Sequence, residues 1–203
     1  MERAVGELRT ALAGEGIGLE LLPGGEIALD RLDLIDADEL VRFGLGGSAA
    51  YVLLEFPYEG WPVALPSIVL GLRTRGITPV IAHPERSRAV QADPERLRPI
   101  ALSGALCQLT AASLDGRLGR RNRDAAFELL ERGLAQLIAS DAHTPDIRGI
   151  GMRGAADAVG DPALARWLTE TVPAAIVAGQ PVPATPVPVR RPSRLRGFLR
   201  AVT

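Results

Sequence analysis

The chain has 203 residues, 47 % of them apolar, and a formal net charge of −1; this fits one globular core plus a tail and lacks the basic excess that nucleic-acid binding needs. All 23 basic residues are arginine, so Schiff-base and other lysine chemistry is excluded. No signal peptide opens the chain and no apolar run approaches the roughly 20 residues of a membrane span, so the expected location is cytoplasmic.

Residues 2–13 read as a helix with Val5, Leu8 and Leu12 on one stripe, and the break at Gly14–Gly16 leads into a strand, GIGLELLPGGEIAL, over 16–29. Asp30, Asp33, Asp36, Asp38 and Glu39 read as a solvent-facing helix or loop. The next strand is AAYVLLEFP at 49–57, followed by a helix over about 64–75 that ends before Gly76. ITPVIAH at 77–83 is the third strand. Asp93 with Pro94 opens a helix to about Leu102, and ALCQLTA is the fourth strand. A helix over Arg120–Arg132 stops at Gly133, LAQLIASD is the fifth strand, and GMRGAADAV and PALARWLTE are terminal helices.

Five strands alternating with helices predict an α/β class with a parallel sheet or barrel. From about Pro181 the Pro-rich PVPATPVPVRRPS reads as an extended linker. Arg190, Arg191, Arg194, Arg196 and Arg200, with Leu195, Phe198 and Leu199, then read as a solvated terminus, weak contact with anionic lipid or a partner being the alternative.

Chemistry gathers at the predicted strand ends. In LIASDAH, Asp141 and His143 stand two apart after an apolar run, so an extended chain presents both on one face. The only other histidine, His83, follows ITPVIA; Glu55 ends YVLLE and Glu26 ends LELLPGGE. A parallel sheet or barrel delivers such residues to one mouth, where carboxylates and neutral imidazoles suit Mn²⁺, Fe²⁺ or Zn²⁺. A divalent cluster of this kind hydrolyses phosphate esters by activating water and taking up developing charge, with arginines gripping the remaining oxygens; Arg86 and Arg148 are placed to do so. Cys107, in GALCQLTAA, lacks the closely following arginine of a phosphate-binding loop and reads as a buried small hydrophobe.

GGEIAL, YVLLEFP, GITPVIAHPER, QLTAASLDGRLG, IASDAHTPDIR and TVPAAIVAGQ, in that order, resemble the PHP (polymerase and histidinol phosphatase) superfamily. The closest resemblance is to the manganese-dependent protein-tyrosine phosphatases of bacterial capsule and exopolysaccharide operons. The resemblance implies a distorted (β/α)7 barrel over residues 1–180, followed by a Pro/Arg-rich tail over 181–203. It implies Glu26 as the carboxylate bridging two metals, Glu55, His83, Asp141 and His143 as further ligands of up to three ions, and Arg86 and Arg148 on the phosphate. The implied cofactor is a divalent cluster, Mn²⁺ foremost with Fe, Co or Zn as substitutes, and the implied substrate is a phosphotyrosine protein, typically a tyrosine autokinase of polysaccharide export. Alternatives are a PHP phosphatase for a small monoester such as histidinol phosphate, and an inactive remnant with a binding or regulatory role.

The resemblance has a gap. Family members open with a strand ending in an HxH motif and a second strand ending in histidine, and with two histidines in all this sequence cannot replace them. As given, the cluster and the barrel are short of two βα units, leaving open whether this chain alone turns over substrate. The leading expectation is that Met1 is an internal residue of a longer protein, ahead of a truncated relic or a partner supplying the rest. Exposed strand edges then predict poor stability for the chain alone.

Overall fold

The computed structural model describes residues 2–143 and 151–186. Its centre is a five-stranded parallel sheet in sequential order, β1 (Glu26–Ala28), β2 (Tyr51–Glu55), β3 (Thr78–Ala82), β4 (Leu106–Thr110) and β5 (Leu137–Ala139). The register sets Glu26 beside Leu53, Val80 beside Leu106, and Gln108 beside Leu137. Parallel neighbours require a crossover between each pair, and the helices supply it.

The helices are α1 (Glu2–Gly14), α2 (Ala37–Phe43), α3 (Leu65–Thr74), α4 (Arg88–Ala92), α5 (Arg98–Leu102), α6 (Ala111–Leu114), α7 (Arg120–Glu131), α8 (Gly151–Val159), α9 (Pro162–Arg166) and α10 (Val172–Val177). Asp36 caps α2 by accepting from Glu39 N, so one of the acids read as merely solvated starts a helix. In α3, Leu65, Val69 and Leu72 form the buried stripe, and Gly76, at φ 78°, closes the helix in the left-handed conformation glycine permits. No helix among the described residues is long and apolar enough to cross a membrane.

The core lies where the sheet meets this layer: Val52, Leu54, Val80, Ile81, Cys107, Leu109 and Ile138 are fully buried with Leu65, Val69, Ile100, Leu129 and Leu168. Near-continuous apolar strands of this type form when both sheet faces are covered, and each such side chain contributes about 1.5–3 kcal/mol by leaving water.

Three elements differ from the sequence expectation, the fifth strand among them, LAQLIASD being reduced to Leu137–Ala139. The strand expected over 16–29 is reduced to Glu26–Ala28. Pro23 has no N–H for a ladder, Gly24 and Gly25 follow it, and residues 17–22 have no partner strand among the described residues; Arg9 instead holds the Leu21 carbonyl back toward α1. The helix expected after Asp93 is split into a 3₁₀ turn, Pro94–Leu97, and α5, with Pro99 at the joint removing a helix donor. On α1 the expected stripe is only partly covered, and Leu8 is exposed.

Cys107 is sealed in β4, and burial pushes its thiol up to about 12. Iodoacetamide at pH 8 should therefore leave the folded protein unlabelled and modify it only in denaturant, as intact mass will report.

Glu95 accepts hydrogen bonds from Arg98 and, at 2.7 Å, from Arg132, which hold its carboxyl down at about 2. A carboxylate with a depressed folded pKa contributes stability above its unfolded pKa and loses it as pH falls through the folded one. Glu95→Gln should thus cost stability at pH 7, and the cost should shrink as pH falls toward about 2 and vanish only below it. The side chain is 42 % exposed, so the cost is below about 1 kcal/mol in denaturant titrations.

Candidate metal centre

Parallel strands all end on the same side of a sheet, and four of the five end here at one pocket of about 340 Å³. Glu55 is the last residue of β2, His83 directly follows β3, Thr110 closes β4, and Asp141 stands two residues beyond β5; all four line it, with Glu26, Tyr58, Arg86 and His143. Glu26 reaches it differently. It opens β1 instead of ending a strand, and its arm brings Oε1 to 3.3 Å from His83 Nε2.

Glu26, His83 and Asp141 each offer one ligand atom, and the three atoms lie within 4.8 Å of one another. Glu55 Oε1 is 3.5 Å from the same His83 nitrogen. Burial first, and then the Arg86 guanidinium, lower the His83 pKa, which favours the neutral ring. Its Nε2 is thus crowded by two carboxylate oxygens, one from Glu26 and one from Glu55. Burial raises the Glu26 pKa, and repulsion from Glu55 and Asp141 adds to it. Crowded oxygens and a neutral imidazole are a donor set that a divalent cation relieves, and they fit Mn²⁺, Fe²⁺ or Zn²⁺.

Arg86 borders these groups. Its Nη1 donates to Asp141 Oδ2 at 3.0 Å, and its Cζ lies 4.8 Å from the Tyr58 ring centroid, so a carboxylate and an aromatic face fix the guanidinium. Tyr58 also leans on the His83 ring, centroids 5.6 Å apart. Burial pushes its phenol up to about 12, against the Arg86 charge, so it keeps its proton at neutral pH.

His143 shares the pocket but stands outside the three-atom group; its Nδ1 is 2.9 Å from the Asp141 carbonyl oxygen and its side chain is largely exposed. Arg148 and the basic tail lie outside the described residues. Sequence reasoning missed Tyr58 and Glu85. Glu85 sits between His83 and Arg86 in HPER, is 0 % exposed, and burial pushes its carboxyl up to about 7. Its place in that tetrapeptide was the one available signal.

A parallel α/β sheet that gathers carboxylates, an imidazole and an arginine at its strand ends defines a protein with a pocket whose donor set suits a divalent metal ion. Residues 1–166 match the family described as capsular polysaccharide synthesis, CpsB/CapC, and the chain belongs to that family. It is 34 % identical over 149 residues to the tyrosine-protein phosphatase YwqE of Bacillus subtilis (strain 168), covering 73 % of this chain and 58 % of the relative. It is 27 % identical over 135 residues to the tyrosine-protein phosphatase CpsB of Streptococcus agalactiae serotype V, covering 64 % of this chain and 55 % of the relative. The chain thus spans a little over half the length of these curated relatives.

Among solved structures, it superposes with a TM-score of 0.82 on a chain from the crystal structures of YwqE from Bacillus subtilis and CpsB from Streptococcus pneumoniae, described as unique metal-dependent tyrosine phosphatases. That match has 28 % identity and covers 93 % of this chain and 77 % of the other.

Proposed function

We propose that this chain carries most of the active site of a metal-dependent phosphoric monoester hydrolase acting on phosphotyrosine proteins. The observation that carries the reading is the convergence of Glu26, His83 and Asp141 beside Arg86. Glu55 and His143 complete the ligand set drawn from this chain, and Arg148 joins Arg86 on the phosphate by sequence resemblance. Mn²⁺ is the proposed metal. When bound, it supplies Lewis acidity and a more acidic water.

The residues of this chain do the rest. The two carboxylates and neutral His83 furnish the donors, and Arg86 orients phosphate oxygens through paired N–H bonds. The neutral Tyr58 ring walls the pocket at the size and polarity of an aryl group. We read the five strands as part of a distorted seven-stranded barrel, two βα units of which lie outside this sequence; the length of the relatives supports this. Residues 1–180 would be the phosphatase domain and 181–203 a tail. The setting is capsule or exopolysaccharide biosynthesis in the cytoplasm, with a tyrosine autokinase as substrate.

The test is Mn²⁺ uptake, followed by hydrolysis of a phosphotyrosine peptide and of histidinol phosphate side by side. The expected result is metal-dependent turnover that favours the aryl ester. Failure to take up Mn²⁺ sinks the reading, and uptake without hydrolysis of either ester assigns the chain a binding role instead.

A further inference from the structure

Glu85 is the least expected group near the pocket, a carboxyl with no exposure to water. Burying a carboxyl costs stability, and an apolar side chain of the same shape would pack there more cheaply. Its contacts show what it does. Oε1 accepts from Thr110 N at 2.9 Å and from Ser113 Oγ at 2.7 Å, which ties the turn Pro84–Arg86 to the end of β4 and to α6. On the other side of the residue, Gln91 Nε2 donates to the Glu85 carbonyl at 2.8 Å.

This turn bears both His83 and Arg86. His83 is held at φ 32°, ψ 52°, a left-handed conformation that costs a residue with a Cβ and persists only where its surroundings enforce it. The buried side-chain atoms without a partner among the described residues, Glu85 Oε2, Ser87 Oγ and Thr110 Oγ1, all flank the same turn. Satisfying every polar group has given way here to one geometry.

We propose that Glu85 is a positioning residue: its buried carboxyl clamps the turn after β3 to β4 and α6, holding the His83 ring and the Arg86 guanidinium on the pocket. The inference rests on the metal-site reading above. Glu85→Met keeps the shape and deletes the acceptor, whereas Glu85→Gln keeps an oxygen for Thr110 N and Ser113 Oγ. Leu97→Ala, in a fully buried core residue outside the pocket lining, is the control for lost stability alone.

The probes are Mn²⁺, followed by electron paramagnetic resonance, and inorganic phosphate, followed by calorimetry. Glu85→Met should weaken Mn²⁺ binding by about tenfold or more, the size seen when residues that orient a ligand are lost. Phosphate binding should weaken with it. Glu85→Gln should stay within about threefold of the parent, and Leu97→Ala should lower the melting temperature while binding both probes as the parent does. Parent-like binding by Glu85→Met, or equal weakening by Leu97→Ala, overturns the clamp. If the parent binds neither probe, the function reading falls and the clamp is judged from crystal structures of Glu85→Met and Glu85→Gln. His83 leaving the left-handed region in the first alone upholds it, and His83 unmoved in both overturns it.

Discussion

Asp141→Asn should reduce Mn²⁺ affinity by more than about 100-fold, beyond the range typical of residues that merely support a ligand. Asp141 supplies one of three converging ligand atoms, and its side chain is only 12 % exposed, so no water-borne group easily replaces it. Asparagine is the right replacement because Asp141 sits at φ 50°, a left-handed position that asparagine tolerates and alanine does not. The change therefore removes charge with little backbone strain. Arg86 loses its carboxylate partner at the same time, which leaves the guanidinium free for an anion, so phosphate binding should persist while metal binding is lost. The partly buried ion pair is worth about 1 kcal/mol, a melting-temperature drop of about 2–4 °C in a chain of this size. Calorimetry with Mn²⁺ and a thermal melt decide it; unchanged Mn²⁺ uptake in a folded Asp141→Asn protein would remove Asp141 from the site.

Glu55, His83 and Asp141 were legible in the sequence because parallel strands share a direction and deliver whatever ends or follows each of them to one side. His83 and Asp141 themselves turn left-handed beyond their strands and are not extended. β2 to β5 were legible because their apolar runs are long enough to bury on both faces. Glu26 was legible as a carboxylate but not in its place. The position of a strand start depends on whether Pro23 and two glycines allow a ladder with a neighbour 27 residues away, and pairing register is not written in one strand. Glu85 was illegible because its acceptor role exists only once β4 lies alongside, and a charged residue in a short loop ordinarily means solvent. Tyr58 lies in a Pro- and Gly-containing loop that reads as a turn; its contact with Arg86 across the strand ends is tertiary. What apolar runs and strand direction fix could be read, and what depends on a partner far along the chain could not.

Arg86→Ala should move the two ligands in opposite directions. A guanidinium that grips phosphate through charge-assisted bonds contributes about 1.5–3 kcal/mol, so its loss should weaken inorganic phosphate binding about 10- to 100-fold. Where turnover can be followed, the loss should appear in KM more than in kcat, because phosphate is gripped alike in the ground and transition states. The metal should respond the other way. Arg86 lies 3.0 Å from Asp141 Oδ2, and its positive charge also bears on His83, so it competes with a cation for the very donors that would hold one. Removing that charge frees the Asp141 carboxylate, and Mn²⁺ should bind more tightly, by about threefold or more at the effective dielectric of a half-buried site. Opposite signs distinguish a phosphate grip from a structural prop. A prop would loosen the turn and weaken both ligands together, and that result would take Arg86 out of the phosphate site.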